Sequence, residues 1–244
     1  MMETTAKRAL VTGGSGDIGA AICRRLARDG HYVYVHAYRG AEAAETLARE
    51  IVSEGGRAQA LCFDITDAKA AAAALDSALA HGAIQILINN AGIHADAPFP
   101  GMTAEQWHGV IDVSVNGFFN VTRPLILPMI RTRWGRIVNT SSIAALIGNR
   151  GQVNYAASKG ALNAATKALA LEVATRGITV NAVAPGIITT AMSETTFDTE
   201  TIAKLVPMKR AGLPEEVAGL VAYLVSDEAG YVTAQIISIS GGMA

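Results

Sequence analysis

The chain has 244 residues, 50% hydrophobic and 17% charged, which is the make-up of a globular protein with ample core and excludes a disordered one. Lys and Arg together number 20 and Asp and Glu 21, so the formal charge of −1 gives no general attraction to nucleic acid or to an anionic membrane. No apolar run approaches the roughly 18 residues of a membrane span, no apolar signal segment opens the chain, and Cys23 and Cys62 sit in apolar stretches without metal-ligand spacing. They read as reduced, buried thiols of a cytoplasmic protein.

The first strand is expected over Arg8–Thr12 and the first helix over 17–29. Between them runs Thr12-Gly-Gly-Ser-Gly-Asp-Ile-Gly19, with four glycines in eight residues and a literal GxGxxG from Gly14 to Gly19. Strand, glycine turn and helix in that order make a dinucleotide cradle. The glycines allow a tight turn and close backbone approach, and the helix N-terminus favours a pyrophosphate. Gly13, Ser15, Gly16, Asp17, Ile18 and Gly19 are the candidate cofactor residues. Asp17 is the odd member. A carboxylate about 4 Å from a phosphate charge would cost ~1 kcal/mol in water and ~4 kcal/mol near a protein surface. Facing outward in the first helical turn, it would instead favour the helix dipole, and that orientation is expected.

A second strand, Tyr32–His36, leads through Ala37-Tyr38-Arg39 to a helix at 41–54. The NAD pattern places a carboxylate near this strand end. Here Arg39 stands instead, which suits the 2′-phosphate of NADP(H); a solvated surface arginine is the alternative. A third strand, Arg57–Phe63, precedes a helix at 67–81 whose Ala70–Ala74 run reads as surface. A fourth strand, Ile84–Asn89, is followed by a long connection at His94–Thr103, stiffened by Pro98 and Pro100, and a helix over 104–132. Strand five is Gly135–Thr140, then a helix at 152–176 and strand six at Thr179–Ala184. A second long connection, Pro185–Leu213, precedes a helix at 214–226 and a last strand, Ile236–Ser240.

Most of these strands are short, rich in Val, Ile and Leu and little alternating, as suits strands covered on both faces. Strand alternating with helix predicts an α/β fold, a doubly wound parallel sheet of about seven strands with helices on both faces, in one domain spanning 1–244. Both long connections would lie at the carboxyl ends of strands, where such sheets bind ligands.

Tyr155 and Lys159 are four apart on a predicted helix and share a face. A free tyrosine titrates near about 10 and is a poor acid or base at pH 7. A nearby ammonium favours the phenolate and lowers that value. Ser142 lies thirteen positions before Tyr155, at the end of strand five, placed to hydrogen-bond a substrate carbonyl.

With Ser142 and Tyr155-Ala-Ala-Ser-Lys159, the chain resembles the short-chain dehydrogenase/reductases over essentially its whole length. Asn89-Asn90-Ala91-Gly92, Asp64 and Pro185-Gly186-Ile-Ile188-Thr-Thr190-Ala-Met192 support the resemblance at matching positions. It implies a Rossmann-type fold. It also implies that Tyr155 passes a proton to the carbonyl oxygen, that Lys159 tunes Tyr155 and holds the nicotinamide ribose, and that Asp64, Ile65, Asn90, Ala91, Gly92, Pro185, Gly186, Ile188 and Thr190 line the cofactor. Within the family, stretches such as "GRIVNTSSIAALIGNRGQVNYAASKGAL" most resemble the β-ketoacyl-acyl-carrier-protein reductases of fatty-acid and polyketide-like synthesis. That resemblance implies NADP(H), an acyl thioester on acyl carrier protein, and a homotetramer packed through the helices at 104–132 and 152–176. It places carrier-protein docking on Arg133 and Arg176 beside the active-site entrance, with Arg131 and Arg136 widening the patch; arginines at helix ends also simply complement helix dipoles.

Two departures stand out. Where the family has an asparagine whose backbone carbonyl holds a relay water, this chain has Ser114, which keeps the carbonyl and loses part of the side-chain brace. The usual TGxxxGxG loop is also broken by Asp17, but "TGGSGDIG" fits the TGxxGxxG register of the extended members, in which Gly13, Gly16 and Gly19 do the work. His94 and Asp96 lie near the expected substrate mouth, as substrate contacts or as plain polar loop residues. The segment Ile187–Gly212, with Met192, Phe197 and Met208, is expected to form a mobile lid. No histidine or carboxylate cluster has metal-ligand spacing. The rival readings are a dehydrogenase of a small alcohol, sugar or steroid, and a non-catalytic NADP(H)-binding partner subunit, against which the intact Tyr155 and Lys159 argue.

Overall fold

The computed structural model describes residues 6–190 and 198–244. Seven parallel strands form one sheet among the described residues: β1 (Arg8–Val11), β2 (Tyr32–Ala37), β3 (Arg57–Cys62), β4 (Ile86–Asn89), β5 (Gly135–Thr140), β6 (Ile178–Pro185) and β7 (Ile236–Ile239). Their order is β3-β2-β1-β4-β5-β6-β7. The order reverses between β1 and β4, which pair directly, Ala9 opposite Ile86 and Val11 opposite Ile88. That reversal opens a crevice at the carboxyl ends of both strands, the usual ligand position in such sheets.

The helices are α1 (Asp17–Arg28), α2 (Ala41–Ser53), α3 (Ala68–Leu79), α4 (Ala104–Ile111), α5 (Gly117–Thr132), α6 (Ala144–Ile147), α7 (Val153–Val173), α8 (Thr199–Leu205) and α9 (Pro214–Val225). They cover both faces and divide the core in two. One cluster joins Ile22 and Leu26 of α1, Leu47 and Ile51 of α2, and Val217 and Val221 of α9 to Val11, Val35 and Val183 of the sheet. The other joins Leu75 of α3, Leu125 and Met129 of α5, and Val173 of α7 to Leu10, Leu87 and Ile137. Adjacent residues of β1 thus serve opposite cores, as the two-residue strand period requires. Cutting a fully buried leucine such as Leu125 to alanine would cost about 2–5 kcal/mol.

Strands β4, β5 and β6 are buried throughout, their polar residues Asn89, Arg136, Asn139 and Asn181 included. The edge strands are not: β3 alternates toward exposure and β7 is half-buried. Cys62, at the end of β3, is therefore exposed, against the expected burial, while Cys23 on α1 is buried; both are free thiols. The alanine run in α3 is amphipathic rather than wholly surface, with Ala71 fully buried beside Leu75 and Ala78.

The expected single helix at 104–132 is broken. Residues Asp112–Asn116 form a π-turn between α4 and α5. A π-turn closes its hydrogen bonds over five residues, inserting one extra residue into the helix, and such turns recur at functional sites. The connection after β4 holds a short 3₁₀ turn at Phe99–Gly101. The one after β6 holds α8, and Met192 and Phe197 of the expected lid lie outside the described residues. Among the described residues no helix is long and apolar enough to cross a membrane, and no group of three or more His, Cys, Asp or Glu is arranged to hold a metal.

Candidate active site

The glycine loop is built by what its backbone must avoid. Gly13 has φ +61° and lies so close to Ala91 that a Cβ there would meet its Cα at 3.0 Å. A Cβ on Gly14 would meet the Val11 carbonyl oxygen at 2.9 Å and the Cys23 sulfur at 3.1 Å, and one on Gly19 would overlap the Gly13 carbonyl. Gly16 differs: its φ is −83°, and a Cβ would sit 3.6 Å from the Gly13 oxygen, an ordinary contact. Contacts within the protein therefore demand glycine at Gly13, Gly14 and Gly19, and leave room for a Cβ at Gly16. Asp17 is the exposed first residue of α1. It lines a cavity of about 440 Å³ between α1 and the start of α9, which Arg24, Thr190 and Glu215 also line. The start of α1 follows directly on the glycine loop at the carboxyl end of β1, and a helix N-terminus in that place favours an anion.

The loop after β4 is tied to this cradle. The Thr12 hydroxyl accepts from the backbone N–H groups of Asn90 (2.9 Å) and Ala91 (3.0 Å). The Asn90 side chain donates back to the carbonyls of Thr12 (3.1 Å) and Gly13 (3.2 Å). At the end of β2, Arg39 is exposed and stacks its guanidinium 5.3 Å over the Tyr38 ring. Asp64 holds its own turn, accepting from the Thr66 N–H at 2.8 Å and hydroxyl at 2.7 Å. Burial by itself would raise the Asp64 carboxyl, but the Thr66 bonds, with Tyr38 and Arg39 close by, carry it below its ordinary value. Ile65 is buried against Gly117, where any side chain would collide with it. After β6, Gly186 passes so near Ser240 that a Cβ would lie 2.8 Å from its Cα, and Ile188 is buried.

Tyr155 and Lys159 share one face of α7. Lys159 is 2% exposed and donates to the Thr140 carbonyl at 2.8 Å, and its ammonium lies 5.5 Å from the Tyr155 ring centre. Burial pulls that ammonium down to about 8. A Cβ on Gly92 would come within 3.2 Å of it, so the glycine keeps its approach clear. Tyr155 is half-buried, with the Ser142 hydroxyl near its phenol. The expectation of a lowered tyrosine is not met. Burial raises the phenol, Ser142 opposes it, and the Asp96 carboxylate raises it further. Ser142 lies two residues beyond β5, where it also accepts the Ala144 N–H at 3.1 Å.

Ser114 falls in the π-turn, which packs against α7. It is 3% exposed, and its hydroxyl has no hydrogen-bond partner among the described residues. His94 and Asp96 form a partly exposed pair at 3.3 Å, and Gln152 donates to the same carboxylate at 2.8 Å, joining the loop after β4 to the start of α7. Sequence reasoning passed over Asn154, whose amide donates to the carbonyls of Ala95 (2.9 Å) and Gln106 (3.0 Å) while its oxygen accepts the Tyr155 N–H. An asparagine beside the tyrosine was the available signal. It also passed over Thr12, Thr140 and the π-turn.

The arginines lie elsewhere. Arg133 ends α5 and Arg176 follows α7, immediately before β5 and β6 respectively. Both are exposed at the amino ends of those strands, opposite the end that carries Tyr155, so they do not flank this chain's own site. Arg136 belongs to no surface patch. It is 5% exposed, stacks 4.3 Å from the Trp134 ring and pairs with Asp227 at 3.6 Å.

A family model described as short chain dehydrogenase matches residues 7–201. The chain is 45% identical over 236 residues to a 3-oxoacyl-(acyl-carrier-protein) reductase FabG from Aggregatibacter actinomycetemcomitans, covering 96% of this chain and 98% of that protein. It is 44% identical over 247 aligned positions to Nodulation protein G of Rhizobium sp. (strain N33), across 100% and 99% of the two. It is 42% identical over 243 to an acetoacetyl-CoA reductase of Acinetobacter sp. (strain RA3849), across 97% of each.

Proposed function

The chain belongs to the short chain dehydrogenase family, and from that premise we propose that it reduces a 3-oxoacyl thioester, carried on acyl carrier protein, to the 3-hydroxyacyl thioester in fatty-acid or related polyketide-like synthesis. The observation that carries this reading is the joining of Tyr155, Ser142 and Lys159 at the same sheet end as the glycine cradle. The family implies a nicotinamide dinucleotide, and the residues fit one: Gly13, Gly14 and Gly19 keep side chains off the loop, and Gly92 puts no side chain against the Lys159 ammonium. Arg39, exposed at the end of β2 with no carboxylate in its place, favours NADP(H) over NAD(H). When bound, the reduced cofactor supplies a hydride to the carbonyl carbon.

The protein's share is the proton. A phenol held above its ordinary value stays protonated at neutral pH, which is the form that reduction consumes. Tyr155 gives that proton to the carbonyl oxygen, and the phenolate left behind is met by the Ser142 hydroxyl and the nearby Lys159 ammonium. Ser142 also orients the carbonyl, and the Ser114 backbone carbonyl in the π-turn serves the proton supply behind Lys159. His94 stands at the substrate mouth. Arg133 and Arg176 lie at the opposite end of the sheet, so carrier docking on them would serve a neighbouring copy in a homotetramer. Two free thiols fit a cytoplasmic protein.

Steady-state assays with NADPH and NADH against acetoacetyl thioesters of several chain lengths, beside small alcohols, sugars and steroids, test this. NADPH-dependent turnover of the thioester, at least about tenfold above the alternatives, is expected. Turnover of a simple alcohol or steroid alone would replace the reading.

A further inference from the structure

His36 sits near the end of β2 and is 2% exposed. Both ring nitrogens are engaged. The Gly13 N–H donates to Nδ1 at 3.2 Å. A backbone N–H only donates, so Nδ1 carries no proton. Nε2 carries it and donates to the Phe63 carbonyl at 3.0 Å, where the Phe63 ring also meets the imidazole edge-on at 4.4 Å. The His36 backbone carbonyl accepts the Gly14 N–H at 2.8 Å. One residue of β2 therefore holds the amides of both glycines that open the loop. The Gly13 carbonyl is held from the other side, by the Gly16 N–H and the Asn90 side chain, each at 3.2 Å.

Glycine makes a left-handed turn available without imposing it. At Gly13, where φ is +61°, the choice falls to the hydrogen bonds on its two peptide groups. We infer that His36 is a positioning residue for the dinucleotide: its Nδ1 fixes the Gly13 amide, holds the left-handed turn, and so aims the N–H groups at the start of α1 toward the pyrophosphate. Burial pushes the imidazole down to about 4, keeping it in the neutral form that accepts the Gly13 N–H. This inference rests on the proposed dinucleotide site and adds to it a residue outside the glycine motif.

Two amides separate the halves of the imidazole. In His36→Asn the side-chain oxygen stands where Nδ1 stands and keeps the Gly13 bond. In His36→Gln the longer amide reaches the Phe63 carbonyl, as Nε2 does, and loses Gly13. NADPH dissociation constants for the full chain and both variants are to be measured by fluorescence titration, with melting temperatures alongside. H36N is expected within about threefold of wild type and H36Q about tenfold weaker, at similar melting temperatures. H36Q binding like wild type, or both variants weakened alike, would reduce His36 to packing. Should H36Q not fold, imidazole ¹⁵N spectra of the wild type decide: the Nε2–H tautomer is expected, and an Nδ1–H tautomer overturns the proposal. Wild-type protein that binds neither NADPH nor NADH overturns the dinucleotide reading itself, and this inference with it.

Discussion

The two sides of the crevice place their weight differently: close backbone approach dominates the cofactor side, where His36 and Asn90 also bond the loop, and buried polar pairs dominate the catalytic side. Around β1, β2 and α1 the geometry depends on missing atoms: Gly13, Gly14 and Gly19 each leave a space that a single Cβ would fill. Around β4, β5 and α7 it depends on buried polar side chains that find one another. Asn89 donates to Thr122 at 3.0 Å and to Asn139 at 2.9 Å, Asn139 donates to Thr166 at 2.8 Å, and Thr166 donates to the Leu162 carbonyl at 2.7 Å. That chain runs from α5 along one face of the sheet, over β4 and β5, to α7 and braces the helix that carries Tyr155 and Lys159. The first side is broken by adding an atom. The second is broken by removing a partner, since an orphaned buried donor or acceptor costs about 1–3 kcal/mol.

Lys159→Met probes the catalytic side hardest. Turnover should fall by about 10²–10⁴-fold. Stability should respond in the other sense. The folded ammonium titrates at about 8 and the unfolded one at 10.5, so the folded state binds fewer protons between those values. The burial penalty is in full force below pH 8 and is gone above 10.5. The stability of wild type relative to K159M should therefore climb across that window, by up to about 3 kcal/mol. Chemical denaturation at pH 7, 9 and 10.5 measures it, and a flat difference would mean the ammonium is not desolvated. Gly19→Ala probes the cofactor side. Overpacking against the Gly13 carbonyl should cost about 1–3 kcal/mol and loosen NADPH at least about tenfold, read by melting and titration; unchanged affinity would remove the steric account of the loop.

Smaller changes sharpen the contrast. Ser114→Asn places a longer side chain beside the orphaned hydroxyl's position, and kcat should stay within about tenfold, or ~1.4 kcal/mol, because the backbone carbonyl remains. A several-hundredfold change would show that the side chain matters. Gly16→Ala should be nearly silent, within about 0.5 kcal/mol of stability, because its Cβ has room. A loss as large as that of Gly19→Ala would restore Gly16 to the motif.

These contrasts follow what the sequence shows and hides. The seven strands and their alternation with helices were legible because strands covered on both faces are short and rich in Val, Ile, Leu and Ala, as in β1, β4 and β6, even where a buried asparagine interrupts them. The Tyr155–Lys159 pairing was legible because helical spacing fixes it locally. Which glycines matter was not, since Gly14 is forced by Cys23 and the Val11 carbonyl, and Gly16 is released by space that spacing cannot reveal. The π-turn at Asp112–Asn116 leaves no compositional mark, and the partners of Asn89 and Asn139 lie far along the chain. Arg136 looked like surface because its charge was legible and its stacking on Trp134 was not. The direction of the Tyr155 shift was missed because the i+4 lysine is visible in sequence while the burial and the Asp96 carboxylate that raise the phenol are not.

In the proposed reaction Tyr155 delivers the proton of a nicotinamide-dependent ketone reduction. Tyr155→Phe removes one hydroxyl and leaves the ring in place. NADPH oxidation with acetoacetyl thioester, followed beside NADPH affinity, should show kcat reduced by about 10²–10⁴-fold with affinity within about threefold of wild type. Wild-type turnover that survives in Y155F would contradict the account.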